Sequence, residues 1–201
     1  MGVIDKVLYK EEDDITYLVV VDYKTGNTDI KLDNMEYGIG MQLPIYLYLT
    51  SNMKFKNISV VGFYLQKLFE TNLDNKKDYI ESKENNLRLE GYSIDNENIL
   101  SKFDSTYNNS KLIKSMKTTK DGSFSKNSKV LSDEEMNKLI NETKDKVEEV
   151  IDKVLEADFD INPNNIDNKN ISCEFCEYAD ICHKREKDII YINRKKEENE
   201  E

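Results

Sequence analysis

The chain has 201 residues, of which 38% are hydrophobic and 34% are charged, and its formal net charge is −11. This length supports one domain, or one domain with an insertion, that has a hydrophobic core of its own. No apolar run approaches the roughly 20 residues of a membrane span, and no basic-then-apolar signal opens the chain, so we expect a cytoplasmic protein without a membrane segment.

The charge is unevenly distributed along the chain. Residues 110–129 contain six lysines and one aspartate, whereas residues 132–160 contain eleven acidic residues and four lysines. The net negative charge disfavours a polyanionic partner, but the asymmetry permits a local basic groove on an acidic protein. A lysine-rich loop of this kind is more often a solubilising segment than a nucleic-acid contact.

Two strands joined by a polar turn are predicted at the start of the chain. "GVIDKVLY" (residues 2–9) and "ITYLVVVDYK" (residues 15–24) have strand character, and "KEEDD" between them predicts a hairpin. Folding this hairpin brings Asp5 opposite residues 20–22, where facing Cβ atoms are about 4.5–5.5 Å apart. Asp5 and Asp22 then become neighbours, which two like charges favour only around a cation.

The end of the second strand carries an unusual pair of charges. Because side chains alternate along a strand, Asp22 and Lys24 share one face while Tyr23 points to the other. A charge at the end of an apolar strand is costly unless it is offset. A solvated strand end is one explanation of the pair, and a metal site beside a phosphate is the other.

The next segments predict a helix and a third strand. Apolar residues recur at helical spacing between residues 34 and 52, but Gly38, Gly40 and Pro44 predict a kink or a late start. "ISVVGFYLQK" (residues 58–67) is apolar enough to be a central strand.

The second half of the chain gives weaker signals until its long helix. Residues 70–131 lack clear periodicity and predict an insertion or linker with a short strand or helix, mobile in part. Residues 132–160 predict one long amphipathic helix, because Ser132 and Glu135 match a capping box ahead of an apolar stripe. A Cys-rich segment (residues 161–185) and a charged tail (residues 186–201) follow, and the tail is expected to be disordered.

All three cysteines lie in "CEFCEYADICH", as Cys173, Cys176 and Cys182. Clustered cysteines in a cytosolic protein favour a metal or iron–sulfur site over a disulfide, but three thiolates are one short of the usual four. His183 adjoins Cys182, and neighbouring side chains seldom converge on one metal. A fourth cysteine absent from this sequence is therefore preferred over His183 as a ligand and over coincidental free thiols.

Four motifs in order resemble a known family. "GVIDK", "VVVDYKTGN", "GIGMQLPIYLYL" and "CEFCEYADIC" resemble the RecB-family nuclease domains of the PD-(D/E)XK superfamily. The order and the cysteine spacing are most similar to the C-terminal nuclease part of the B-subunit in AddAB-type ATP-dependent helicase–nucleases. The resemblance implies an α/β, restriction-endonuclease-like core with a mixed central sheet flanked by helices. Residues 1–69 would form most of that core, and the Cys-rich segment would follow it.

The resemblance also implies a site and its cofactors. Asp5, Asp22 and the backbone carbonyl of Tyr23 would hold Mg²⁺ or Mn²⁺, and Lys24 would position water or neutralise the scissile phosphate. Gln42 would orient water or metal from the helix. A 4Fe–4S cluster is implied at Cys173, Cys176 and Cys182, and we expect it to be incomplete in this chain.

Tyr46, one helical turn beyond Gln42, would support the site, although an aromatic residue at this spacing suits the core equally well.

The implied function is metal-dependent DNA hydrolysis, of exonuclease type, in a complex that processes double-strand breaks for recombinational repair. Single-stranded DNA and the helicase–nuclease A-subunit are the implied partners. The sequence has no ATP-binding P-loop and begins at the first strand of the family pattern, so a fragment without the motor and the upstream helix is expected. An inactive fragment or nucleic-acid-binding scaffold is the alternative. A small zinc-binding adaptor is a third hypothesis, which leaves "DYKTG" unexplained.

Overall fold

The structure of the protein is a computed structural model that describes residues 3–26, 28–69, 79–174 and 176–192. The chain divides into two compact units between Val147 and Glu148. Within the described ranges, no helix combines the length and the apolar character needed to cross a bilayer.

The first unit begins with a β-hairpin. Strand β1 (Lys6–Glu12) pairs antiparallel with strand β2 (Ile15–Lys24) through a turn of two residues. The turn residues Asp13 and Asp14 have φ of 50° and 63°, a pair of positive values that matches the twist of the flanking strands. The predicted hairpin is therefore confirmed, although β1 begins at Lys6 and not at residue 2, which lies outside the described residues.

The first long helix starts late, as the sequence predicts. A short 3₁₀ helix (Met35–Tyr37) comes first, and then Gly38 and Gly40, each with φ of 75°, redirect the chain. Helix α1 then runs from Gln42 to Ser51. Pro44 is the third residue of α1, where a backbone N–H would have no partner within the helix, so the proline is tolerated.

Five strands form one mixed sheet in the order β1–β2–β3–β4–β5. Strand β3 (Ile58–Lys67) covers the predicted residues and lies parallel to β2, with α1 as the crossover between them. Strand β4 (Glu90–Ile94) pairs antiparallel with β3, and strand β5 (Val130–Leu131) lies parallel to β4. The predicted fold class, a mixed sheet flanked by helices, is confirmed.

Residues 79–131 differ from the expectation of an insertion. They supply β4 and β5 to the central sheet, and two short helices, α2 (Tyr79–Asn86) and α3 (Glu97–Leu100). Residues 70–78 lie outside the described residues. The part of this segment that is described therefore belongs to the folded core.

Small residues in β4 explain why its sequence pattern is weak. A Cβ atom on Gly91 would lie 2.1 Å from the Phe63 carbonyl oxygen and 2.8 Å from the Tyr64 Cα, so no larger residue fits there. Ser93 is fully buried, and its hydroxyl oxygen lies 2.6 Å from the Tyr64 hydroxyl oxygen. Packing against Tyr64 thus replaces the apolar alternation by which a strand is normally recognised.

Apolar clusters cover both faces of the sheet. The cluster on the face of α1 comprises Val20, Ile30, Met35, Leu43, Leu47, Val60, Phe63, Leu65, Met136 and Leu139. The other cluster comprises Tyr17, Val19, Val21, Val61, Tyr64, Ile94, Leu100, Ile113 and Met116. Because β2 is buried on both faces, it reads as a continuous apolar run, and its alternation places Asp22 on the α1 face.

The predicted long helix is helix α4 (Asp133–Leu155). Its capping box is present, because the Ser132 N–H donates to the Glu135 carboxylate over 2.8 Å and the Glu135 N–H donates to the Ser132 hydroxyl over 3.2 Å. Met136 and Leu139 are buried in the first unit. The later apolar residues of the stripe, from Val150 on, are at least half exposed.

The second unit contains the end of α4 and a small parallel pair of strands. Strands β6 (Asn164–Ile166) and β7 (Ile190–Ile192) form this pair. Between them lie helix α5 (Ile171–Glu174), helix α6 (Ala179–Cys182) and a 3₁₀ helix (Glu186–Asp188). Residues 186–192, predicted as part of a disordered tail, thus hold regular structure, and residues 193–201 lie outside the described residues.

Candidate active site

Asp22 is the buried centre of the candidate site. It lies near the end of β2, on the face that α1 covers, and its exposed fraction is 2%. Its Oδ1 atom accepts a hydrogen bond from Gln42 Nε2 over 3.0 Å. Its Oδ2 atom is buried and lies 2.6 Å from Lys24 Nζ in an ion pair, and it has no other polar partner among the described residues. A cation bound at this oxygen would replace or share the contact with the Lys24 ammonium group.

Lys24 ends β2 on the same face as Asp22, as the alternation of the strand predicts. Its ammonium group contacts Asp22 and also donates a hydrogen bond to Gln42 Oε1. The side chain is 29% exposed, so the charge lies at the border between the core and solvent. The ion pair offsets the cost of burying the Asp22 carboxylate.

Gln42 joins the helix to the strand. It is the first residue of α1, and its amide donates to Asp22 Oδ1 and, over 3.1 Å, to the Tyr46 hydroxyl oxygen. Tyr46 lies four residues later on the same helical face. The structure therefore brings Asp22, Lys24, Gln42 and Tyr46 into one network, and it places Tyr46 at the site rather than only in the core.

Asp5 approaches the same strand end from the hairpin. It lies one residue before β1, whose first pair is Lys6 opposite Val21, so the next pair in this register joins Asp5 and Asp22. The Asp5 Oδ2 atom accepts a hydrogen bond from the Tyr23 backbone N–H over 2.9 Å. This bond holds an exposed carboxylate beside the buried one.

These groups suit a hard divalent cation. Mg²⁺ and Mn²⁺ prefer oxygen ligands, usually one or two carboxylates with water and substrate oxygens completing the shell. Asp5 and Asp22 supply two carboxylates at one strand end, and the Oδ2 of Asp22, whose contact is the ion pair with Lys24, is the oxygen that a cation would bind. No group of three Cys, His, Asp or Glu side chains converges within the described part of the chain, so water and substrate would have to complete the shell.

The three cysteines do not form a comparable site. Cys173, Cys176 and Cys182 are partly buried free thiols on and beside α5 and α6 in the second unit. Among the described residues they are not part of any converging set of three ligands. His183, with φ of 52°, ends α6 directly after Cys182. The arrangement does not fit a 4Fe–4S cluster, which needs four converging thiolates.

Basic residues beside the site were not identified from the sequence. Lys67 ends β3 directly opposite Lys24 in the parallel ladder, and Lys129 pairs with Glu90 over 2.8 Å at the start of β4. The matching strand ends "DYK" and "LQK" were an available signal for Lys67. Lys129 lies in the lysine-rich stretch, but its relation to the site depends on β4, which the sequence pattern does not reveal.

Comparison with known proteins identifies similar sequences over nearly the whole chain. The family model of the PD-(D/E)XK nuclease superfamily matches residues 1–183. The B-subunit of the ATP-dependent helicase/deoxyribonuclease of Carboxydothermus hydrogenoformans is 31% identical over 98% of this chain and 19% of its own length. The proteins of the same name from Caldanaerobacter subterraneus subsp. tengcongensis and Alkaliphilus metalliredigens are each 29% identical over 90% of this chain and 16% of their own length. The chain thus spans less than a fifth of the length of these relatives.

Proposed function

The chain belongs to the PD-(D/E)XK nuclease superfamily, and from this premise we propose that it is a metal-dependent deoxyribonuclease domain that hydrolyses phosphodiester bonds. The observation that carries the proposal is the network of Asp22, Lys24 and Gln42 at the end of β2. In this network the buried Asp22 carboxylate accepts a hydrogen bond from Gln42 on one oxygen. Its other oxygen forms an ion pair with an ammonium group at the solvent border. This combination suits a cation and a phosphate that meet at one point.

Asp5, Asp22 and the backbone carbonyl of Tyr23 would hold Mg²⁺ or Mn²⁺. When bound, such a cation lowers the pKa of a coordinated water and offsets the charge that develops on the phosphate.

The remaining roles belong to side chains of the chain itself. Lys24 directs its ammonium group to the phosphate oxygens, whose negative charge grows as water attacks phosphorus and the P–O bond breaks. Gln42 holds both Lys24 and Asp22, so it sets the distance between cation site and ammonium group. Tyr46 holds the Gln42 amide in turn. The network pre-organises the site and supplies charge stabilisation without rearrangement.

The proposed substrate is single-stranded DNA, and the proposed mode is exonucleolytic. The relatives are named as the B-subunit of an ATP-dependent helicase/deoxyribonuclease, which supports a helicase partner, the A-subunit of such a complex, that feeds the strand to the site. We place this activity in the cytoplasm and in the processing of DNA double-strand breaks.

For the iron–sulfur cluster we propose only an incomplete site in this chain. Cys173, Cys176 and Cys182 are three of the four ligands that a 4Fe–4S cluster needs, and they do not converge here. We therefore expect this chain, purified without oxygen, to contain less than one cluster per molecule. Iron and sulfide analysis with absorbance near 400 nm tests this, and stoichiometric iron would contradict it.

Cleavage of labelled single-stranded DNA tests the proposed function. The unmutated chain is compared with Asp22→Asn and Lys24→Gln in Mg²⁺, in Mn²⁺ and in EDTA. Asp121→Asn and Lys120→Gln are matched controls, because both residues are exposed in a loop of the same unit. Metal-dependent cleavage that is lost in the first two variants and kept in the controls supports the proposal. No cleavage by the unmutated chain at any metal concentration would overturn it in favour of an inactive scaffold.

A further inference from the structure

A row of cations crosses the sheet directly beyond Asp22. Lys24 and Lys67 are paired in the β2–β3 ladder, on the face that carries Asp22. In the β3–β4 ladder Leu65 pairs with Glu90 as the first pair of β4, and Arg88 precedes Glu90 by two residues, at the end of the sheet where Lys67 ends β3. Three neighbouring chain segments thus each contribute one cation to the same end of the sheet.

Arg88 is the most informative member of this row. Its Nε atom is buried and has no hydrogen-bond partner among the described residues. An unsatisfied buried donor costs free energy, and buried donors in native proteins are nearly always paired. A guanidinium group binds phosphate in a planar, bidentate way, so an anion at this position would satisfy the donor.

A second pair of cations lies farther across the same face. Glu90 is held between Lys129, at 2.8 Å, and Lys114, at 3.9 Å, with one lysine on each carboxylate oxygen. Lys129 also lies over the ring of Tyr92, 5.7 Å from its centre. Two lysines on one carboxylate leave a net positive charge, and both lysine side chains are about one-third exposed.

Acidic neighbours limit how far this positive region extends. Asp29 lies within electrostatic range of both Tyr92 and Lys129, and Asp33 within range of Tyr92. These carboxylates border the band of cations formed by Lys67, Arg88 and Lys129, on a protein whose net charge is −11. A band of positive charge on an acidic protein favours a bound strand along one path and repels it elsewhere.

We propose that Lys67, Arg88 and Lys129 bind phosphates on one side of the scissile phosphate, on a DNA strand that crosses the sheet from β2 towards β5. This inference rests on the proposed nuclease function and extends it to residues that no motif marks. Strands in a sheet are about 4.8 Å apart, so the path from β2 to β5 is about 15 Å long. A path of this length is long enough for more than one phosphate of a bound strand.

Binding of a fluorescent 12-nucleotide single strand, followed by anisotropy in EDTA, tests the proposal apart from cleavage. The 201-residue chain is compared with Lys67→Gln, Arg88→Gln and Lys129→Gln. Lys117→Gln and Lys120→Gln are matched controls, because they remove exposed lysines of the lysine-rich stretch that lie outside the band. Circular dichroism and Tm establish that each variant is folded.

Each of the three variants is expected to weaken binding about 3- to 10-fold and to reduce the slope of log K against log salt by about 0.7 to 1. Arg88→Lys, which keeps the charge but not the fork of donors, is expected to fall between the unmutated chain and Arg88→Gln. Glu90→Gln adds one net positive charge and is expected to raise affinity. If these residues had only structural roles, all of these variants would instead be less stable. Glu90→Gln would then not raise the affinity for DNA while the three cation variants lower it.

The two proposals can fail separately. Affinity equal to that of the controls in all three variants, with cleavage intact, would overturn the phosphate path and leave the nuclease function standing. Weakened binding in the three variants, with no cleavage by the unmutated chain, would support the path and overturn the nuclease function. No measurable binding by the unmutated chain at low salt would overturn the path.

Discussion

Gln42 Nε2 donates a hydrogen bond to Asp22 Oδ1 over 3.0 Å and thereby ties the first turn of α1 to the end of β2. The same amide donates to Tyr46 and accepts from Lys24, so its orientation is determined by three partners. Because an amide has donors on one end only, a rotated Gln42 would face Lys24 with N–H groups and lose two of these bonds. The helix and the sheet therefore hold the site together through one side chain.

Loss of the Tyr46 hydroxyl should slow cleavage without weakening DNA binding. Tyr46→Phe removes one partner of the Gln42 amide, and a hydrogen bond of this kind contributes about 1 kcal/mol, which corresponds to a rate reduced about 5-fold. Steady-state rates at saturating DNA measure this. Tyr48→Phe is the control, because two residues along a helix turn the side chain to another face. Equal rates for both variants would mean that the Tyr46 hydroxyl has no role in cleavage.

Asp22 should be required for stabilisation by metal. A ligand that binds only the folded state stabilises it by about 2.7 kcal/mol at 100 times its dissociation constant, so Mg²⁺ or Mn²⁺ should raise the Tm of the unmutated chain by several degrees. Asp22→Asn keeps the shape but replaces one carboxylate oxygen with an amide nitrogen and removes the negative charge, so the Tm shift should disappear. Asp121→Asn should retain it. An undiminished shift in Asp22→Asn would mean that the cation binds elsewhere.

Gly91 should be essential to the fold, although it lies in the segment that the sequence pattern predicts as an insertion. A Cβ at this position would lie 2.1 Å from the Phe63 carbonyl oxygen, on backbone that cannot move without separating β3 from β4. Gly91→Ala should lower the free energy of unfolding by about 2–4 kcal/mol, in the range of severe overpacking. Gly26→Ala is the control, because nothing lies within 4 Å of its Cβ position. Urea unfolding that gave equal values for the two variants would contradict the observed strand pairing.

Acid should weaken the start of α4 through Glu135. Hydrogen bonds from the Ser132 backbone N–H, and the contact with its side chain, lower the pKa of Glu135 below its ordinary value of 4.5. Because the folded-state pKa is depressed, this contribution is present above pH 4.5 and is lost as the pH falls through the folded-state pKa. Glu135→Gln keeps a capping side chain that does not titrate, so its Tm should fall less between pH 5 and pH 3.

Glu134→Gln is the matched control for this pH series, since Glu134 lies in the same first turn. It should keep the pH dependence of the unmutated chain. If Glu135→Gln and the unmutated chain lost Tm in parallel, the capping carboxylate would have no part in the acid sensitivity.

Strong local patterns made much of the first unit predictable. The apolar run of β2, the apolar run of β3 and the capping box at Ser132 each determine their element through short-range chemistry, and each was confirmed. The joint position of Asp22 and Lys24 on one face follows from strand alternation alone. Because these signals lie within a few residues of one another, no tertiary information is needed to detect them.

The sequence by itself determined the family motifs, the mixed α/β class and the strand that carries Asp22 and Lys24. Tertiary structure alone decided that β4 completes the sheet, because Gly91 and Ser93 are small in order to fit Tyr64 and so leave no apolar pattern. It also decided that Lys67 lies opposite Lys24 and that Lys129 pairs with Glu90, since cross-strand register joins residues far apart in the chain. Local periodicity specifies the elements. The neighbours of a side chain across a sheet depend instead on how separate elements pack, which the pattern of one segment does not encode.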